Sequence, residues 1–400
     1  MLTIKKINTG KFARDCLYTS IAAAIIATPL AASAAPAADF TIGGFAKLSV
    51  LYTDTDSGSI AGGAGGIGRT FYVPSTIPVA PAGSSDLDHQ TLDFTARETR
   101  FNFKVVKDID GHKVTGFIEA DFLTTTEGNE VVSNSYAPRL RHAFFKFDNW
   151  LFGQTWSTFQ DTGALPQAVD FLGSPEGIVF IRQPQVRYTA GDFQIALENP
   201  ESYVSNATTG DALDRDVGSV PDLAANYKFK GGWGHVRLNG LVRQITVDQD
   251  AGATKIDESE TGFGAGLSGK IKVGASDNIK FSANIGDGMG RYTSLGLVKD
   301  AILINGKIET VESTAVSASY HHAWNAKSSS NLILSAANID NPTGAAGTEN
   351  KSADSIQINY LWSPVKPVTY GVMFLTANRE TENGNEGKLN RVQFAATYKF

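Results

Sequence analysis

From Phe45 to the C-terminus the chain alternates apolar and polar residues with a period of two. FAKLSVLYT (Phe45 to Thr53) sets Ala46, Leu48, Val50 and Tyr52 on one face and Lys47 and Ser49 on the other. RFNFKV sets Phe101, Phe103 and Val105 against Arg100, Asn102 and Lys104, and the final run sets Val392, Phe394, Ala396, Tyr398 and Phe400 on one face. Successive side chains of a strand point to opposite sides, so this pattern predicts half-buried β-strands; no helical period competes with it. Short turns, as at Asp148-Asn149, alternate with long loops over 54–90, 124–137, 160–177, 199–221, 248–260, 287–307, 339–353 and 378–388. The count is about sixteen strands. An even number, with short and long connections alternating, predicts an all-β, transmembrane antiparallel β-barrel.

A barrel pairs every strand edge, so its backbone can sit in lipid fully hydrogen-bonded. Aromatics cluster where strands meet short turns, among them Trp150, Tyr188, Trp233, Trp324, Trp362 and Tyr398. Amphipathic rings at that depth suit a membrane interface. A soluble sandwich would need polar outer faces, whereas nearly every strand here has one apolar face.

The first residues read as an export signal. Lys5, Lys6, Lys11 and Arg14 precede an apolar run from Leu17 to Leu30, and Ala32-Ser33-Ala34 offers a cleavage site. The expected organisation is a cleaved signal peptide over 1–34 and one barrel domain over 35–400. The only cysteine, Cys16, lies in the signal, so the remainder has no disulfide and no cysteine-based metal site. The formal charge is −6; losing four basic residues and one acid with the signal takes it to −9. An acidic chain without a Lys/Arg cluster argues against nucleic acid as a partner. No later run of about eighteen apolar residues exists for a membrane helix.

The chain is organised around 139–189. RLRHAFFKF (Arg139 to Phe147) and WLFGQTWST (Trp150 to Thr158) form a hairpin, and IVFIRQPQVRYT (Ile178 to Thr189) follows a long loop, Gln160 to Gly177. That loop carries Ala164, Leu165, Val169, Phe171 and Leu172. Long loops in compact folds are usually functional or disordered, and an apolar one packs against something; folded into a barrel, it narrows a pore.

Alternation assigns the charges that would line such a pore. Arg139 and Arg141 share a face opposite Leu140 and Phe144, and His142 takes the outward parity. Arg100 and Lys104 are inward, as are Arg187, Arg237, Arg243 and Arg391. Arg182 shares the parity of outward Val186 and Tyr188, with Pro184 able to mark a bulge that resets the count. Glu119 and Asp121 point inward near the Arg139–Arg141 row, and Asp161, Asp170 and Glu176 belong to the folded-in loop. Arginine ladders in a narrow aqueous pore lower the barrier for anions, and carboxylates opposite add a transverse field.

PRLRHAFFKFDNWLFGQTWSTFQD, VDFLGSPEG and IRQPQVRYT, with RETRFNF, GFIEADF and GDGMGRY, resemble the DcaP-like family of bacterial outer-membrane porins, from about Phe40 to the end. The resemblance implies a homotrimer of sixteen-stranded diffusion channels with an inward third loop, set among outer-membrane lipid and lipopolysaccharide and passing small anions, dicarboxylates in particular. The coiled-coil segment of some relatives is missing between the signal and the first strand. The sequence carries no nucleophile motif for a barrel enzyme. Adjacent His321 and His322 face opposite sides of a strand, so no metal is expected, and no cofactor. A non-selective porin and a structural or adhesive barrel with a plugged lumen are the alternatives.

Overall fold

A computed structural model describes residues 38–400 apart from 63–65, 125–127, 130–132, 209, 211, 214–217 and 252–253. The expected signal peptide lies outside the described residues. Within them, sixteen strands close one antiparallel sheet. In chain order they are β1 (Asp39–Thr55), β2 (His89–Thr95 and Arg100–Ile109, two pieces of one strand), β3 (His112–Asp121), β4 (Arg139–Phe147), β5 (Trp150–Trp156), β6 (Arg182–Ala190), β7 (Phe193–Glu198) and β8 (Asp222–Gly231). There follow β9 (Gly234–Ala251), β10 (Thr254–Val273), β11 (Asp277–Asp287), β12 (Glu312–Asn325), β13 (Ser328–Asp340), β14 (Asn350–Val365), β15 (Val368–Thr381) and β16 (Glu386–Lys399). Each pairs with the next, and β1 pairs with β16 from Phe45↔Lys399 to Thr55↔Leu389, which closes the barrel.

The apolar faces point away from the lumen. Phe94, Ile118, Leu140, Leu238, Phe263, Ile358, Phe374 and Val392 are all exposed, with polar residues of the same strands inside. A soluble monomer rarely shows so large an apolar surface; a lipid-facing barrel must. Phe147, Trp150, Trp233, Trp324, Trp362, Tyr398 and Phe400 are exposed at the end that carries the short turns and both ends of the sheet-forming chain. In outer-membrane barrels the short turns face the periplasm.

Two expected loops are shorter than the sequence suggests. The acidic stretch 248–260 is the tip of the β9–β10 hairpin, paired up to Ala251↔Thr254, with Lys255 Nζ 3.2 Å from both Asp248 and Asp257. Likewise 378–388 continues the β15–β16 ladder to Glu380↔Glu386. Strands that rise above the bilayer no longer need an apolar face, so the alternation that marks them disappears. Above the wall, Val204–Asn206, Ala301–Ile304 and Lys307–Thr310 form a separate three-stranded sheet.

Candidate functional site

The loop after β5 folds into the lumen. Asp161 at its start lies 2.7 Å from His235 Nε2 and accepts from Ser268 Oγ at 3.2 Å. Lys280 Nζ donates to Leu165 O at 2.5 Å, Asn359 Nδ2 to Gln167 O at 3.0 Å, and the Gln357 amide to Gly173 O. Gly177 N donates to Ser335 Oγ at 2.9 Å. The contacts run from β9 to β14, so the loop crosses the barrel and lies along that wall. Close approach explains Gly177: a Cβ there would stand 2.0 Å from Val316 O.

The loop after β1 clamps it from above. The Tyr72 hydroxyl donates to Glu176 Oε1, and its backbone N–H lies 3.2 Å from both Asp170 carboxylate oxygens. Ser355 Oγ donates to Glu176 Oε2 at 3.0 Å. Burial pushes the Glu176 carboxyl up to about 7 and the Asp170 carboxyl up to about 6. Asp161, Asp170 and Glu176 are therefore buried anchors of the inward loop, each spent on a fixed partner.

The opposite wall, β2 to β6, holds the charges. Asp121 is fully buried and takes Arg139 as a two-pronged partner, Nε and Nη2 both at 2.9 Å, with Arg141 Nη1 at 2.8 Å. Glu119 accepts from Arg141 Nε at 2.8 Å and faces Arg100 Nη1 at 3.6 Å. Buried carboxylates need such forks, because an unpaired charge away from water is costly. Arg182 lies 4.5 Å above the Trp156 ring centre, and Trp156 packs on Phe180. Phe180 in turn meets Phe171 of the inward loop, over which Arg141 also lies. The array therefore sets four guanidinium groups against two carboxylates. Among the described residues Arg182 makes no ion pair, and its Nη1 is buried without a hydrogen-bond partner.

The β4 alternation differs from the expectation. The β3–β4 register shifts between Glu119 and Ala120, so Ala120 faces Leu140 while Glu119 faces His142. Arg141 occupies the bulge, and beyond it the parity reverses. His142 is thus inside, with Nδ1 2.9 Å from Thr155 Oγ1, and Phe144 turns inward with it; Phe145 and Phe147 take the exposed face. Pro184 marks no bulge, since it pairs with Gln154 in unbroken register; Arg182, outward by parity, is the first residue of β6 and lies over the Trp156 and Phe180 rings.

The other basic residues are spread along the lumen. Arg237 donates to the Gln160 and Thr158 carbonyls, Arg243 meets Asp300 at 2.7 Å and Asp222 at 3.3 Å, and Arg391 donates to Thr53 Oγ1 and Gly68 O. All three face inward as expected, yet they are buried struts that hold loops. Arg187 bonds Gln185 and the Trp156 carbonyl, and Lys104 lies exposed toward the short-turn end. No cluster that could hold a metal occurs among the described residues.

Sequence reasoning missed Trp156, Phe180 and Tyr72. The outward run Leu140, Phe145, Phe147 changes from even to odd numbering, which was a legible sign of the bulge. Phe71-Tyr72-Val73 was an apolar triplet inside a polar loop, a sign of docking with nothing to name its partner.

The solved structure of the outer membrane channel DcaP of Acinetobacter baumannii is similar to this chain: TM-score 0.74 and 27% identity, covering 92% of this chain and 99% of that one. The outer membrane protein OmpT of Vibrio cholerae in its trimer form shares the fold alone, with TM-score 0.53 and 12% identity over 91% of this chain and 100% of its own. Among curated proteins none matches in sequence. The family model for the DcaP outer membrane protein matches residues 67–400, which takes in every strand but β1 and the whole arginine array. The chain belongs to the DcaP outer membrane protein family of channel-forming barrels.

Proposed function

We propose that this outer-membrane channel passes small hydrophilic solutes by diffusion and favours anions, dicarboxylates in particular. The observation that carries the reading is the charge balance of the array on β2 to β6. Glu119 and Asp121 are consumed by Arg139, Arg141 and Arg100, which leaves two guanidinium charges in excess beside the inward loop. An anion stripped of water needs compensation, and low-dielectric walls strengthen what fixed cations provide. Arg182, with an unfilled donor on an aromatic bed, is the group that a carboxylate would meet. Arg100, Arg139 and Arg141 set the field around it. Arg237, Arg243, Arg391, Asp161, Asp170 and Glu176 act indirectly, by fixing the loops that shape the passage.

The biological unit in this reading is a homotrimer among outer-membrane lipid and lipopolysaccharide, delivered by a cleaved signal over residues 1–34. The trimer form of the Vibrio cholerae barrel supports the first point. Liposome swelling with succinate, a zwitterionic amino acid and a sugar of similar size tests the function. Succinate is expected to enter fastest and the sugar slowest. Equal rates would leave a non-selective porin, and no swelling with any solute a plugged barrel.

A further inference from the structure

Below the arginine array, toward the short turns, lies a second group of cations. Lys104, Lys113 and Lys146 are exposed and line one cavity of about 500 Å³ with Thr115, Phe117 and Phe144. Their strands fix the arrangement. Lys104 and Phe144 flank Phe117 on either side, and Lys146 lies across from Thr115 one step nearer the mouth. Glu119 and Asp121 share the lumenal face with Phe117, so all three lysines point into the barrel. Lys104 and Lys146 sit two strands apart, about 10 Å along the sheet, within reach of one ligand.

None of the three makes an ion pair among the described residues, whereas Lys47, Lys230, Lys255 and Lys351 are each paired. The carboxylates nearby are otherwise engaged. Asp148 also lines the cavity, but its Oδ2 lies 2.7 Å from His112 Nδ1 and its Oδ1 accepts from Lys113 N; Asp108 caps the turn at Gly111 N. The floor is the Phe117–Phe144 pair, rings 5.5 Å apart. Like charges kept together against an apolar floor focus a positive potential.

We propose that Lys104, Lys113 and Lys146 form a second anion site at the periplasmic mouth, separate from the arginine array, which holds a polyvalent anion through three ammonium groups. In a channel, such a site receives an anion after the narrow section and releases it to water, since several weak sites in series allow exit. The site stands on the three lysines alone and does not depend on the selectivity proposed for the arginines.

The test uses the full chain as Thr115→Cys in a Cys16→Ser background, reconstituted in bilayers. An anionic methanethiosulfonate modifies the cysteine, and inorganic triphosphate is the competing probe. Triphosphate is expected to slow modification about tenfold. Lys104→Gln, Lys113→Gln and Lys146→Gln together should abolish that protection, while Arg182→Gln should leave it intact. Absence of protection at millimolar triphosphate, or protection that survives the triple substitution, overturns the site. Protection is read in each variant as the ratio of rates with and without triphosphate, and unaltered folded electrophoretic mobility serves as the folding control. Loss of selectivity at Arg182 would not alter the protection, so the two readings fail separately.

Discussion

The two walls of the barrel are built from different chemistry and to different heights. Strands β3 to β8 hold six to ten residues each, and β9 to β16 hold eleven to twenty. The short side turns arginines, lysines and carboxylates inward. The tall side turns in neutral Asn284, Ser335, Ser355, Gln357 and Asn359, and its inward cations Arg237, Arg243, Lys280 and Arg391 are spent on loop backbone, buried carboxylates or a cross-strand hydroxyl. Amides and hydroxyls satisfy the carbonyls and N–H groups of an irregular loop without adding a field, so the inward loop settles on the tall wall. Charges are left facing whatever lumen remains. A field across the passage thus follows from which wall can satisfy a docked backbone.

Arg141→Leu should separate the walls most sharply. It strips partners from buried Asp121 and Glu119 together, at a cost of about 3–5 kcal/mol. Ser335→Ala on the other wall removes a neutral hydroxyl that accepts from Gly177 N and should cost only about 1 kcal/mol. Thermal loss of folded electrophoretic mobility checks both; equal losses would mean that the walls do not differ as described.

Gly177→Val comes next. Its side chain would collide with the Val316 carbonyl and lift the loop from the tall wall, an overpacking cost of about 1–3 kcal/mol. Larger single-channel conductance and protease cleavage within 160–177 are the expected signs. Unchanged conductance would show that the loop does not narrow the passage.

A pH dependence sharpens the picture further. The ordinary Glu carboxyl value is 4.5, and burial pushes Glu176 up to about 7. The docked loop therefore holds a proton that an undocked loop has lost between those values. Docking is strongest below 4.5, weakens as pH rises through that window, and has lost this contribution above about 7. Current flicker should grow with pH across that range and lose the dependence in Glu176→Gln. Tyr72→Phe, which deletes a donor to the same carboxyl, should raise flicker at every pH by a smaller amount.

Much of the barrel was legible from alternation, because each membrane strand must put apolar side chains toward lipid. Closure, the aromatic rim and the inward arginines on β2, β6, β9 and β16 followed from strand count and parity. Parity failed where one extra residue broke the pairing, and so His142 and Phe144 were placed on the wrong face. It also failed above the membrane, where the outer face of the β9–β10 hairpin is polar and Ile245, Val247 and Ile256 pack within. Which inward charges are free was not legible. Arg182 and Arg391 look alike in sequence; the side chain of one lies on Trp156 and makes no hydrogen bond among the described residues, and the other is fixed by its cross-strand neighbour Thr53 and by Gly68 of the loop after β1.

In the proposed function, unspent guanidinium charge on the short wall sets the passage for anions. The direct measurement is the reversal potential in a potassium chloride gradient, for the unaltered channel and for Arg100→Gln with Arg182→Gln. The unaltered channel is expected to prefer chloride, and the double substitution to lower the anion-to-cation permeability ratio about tenfold. A ratio that the substitutions leave unchanged, or a cation preference from the outset, would contradict the account.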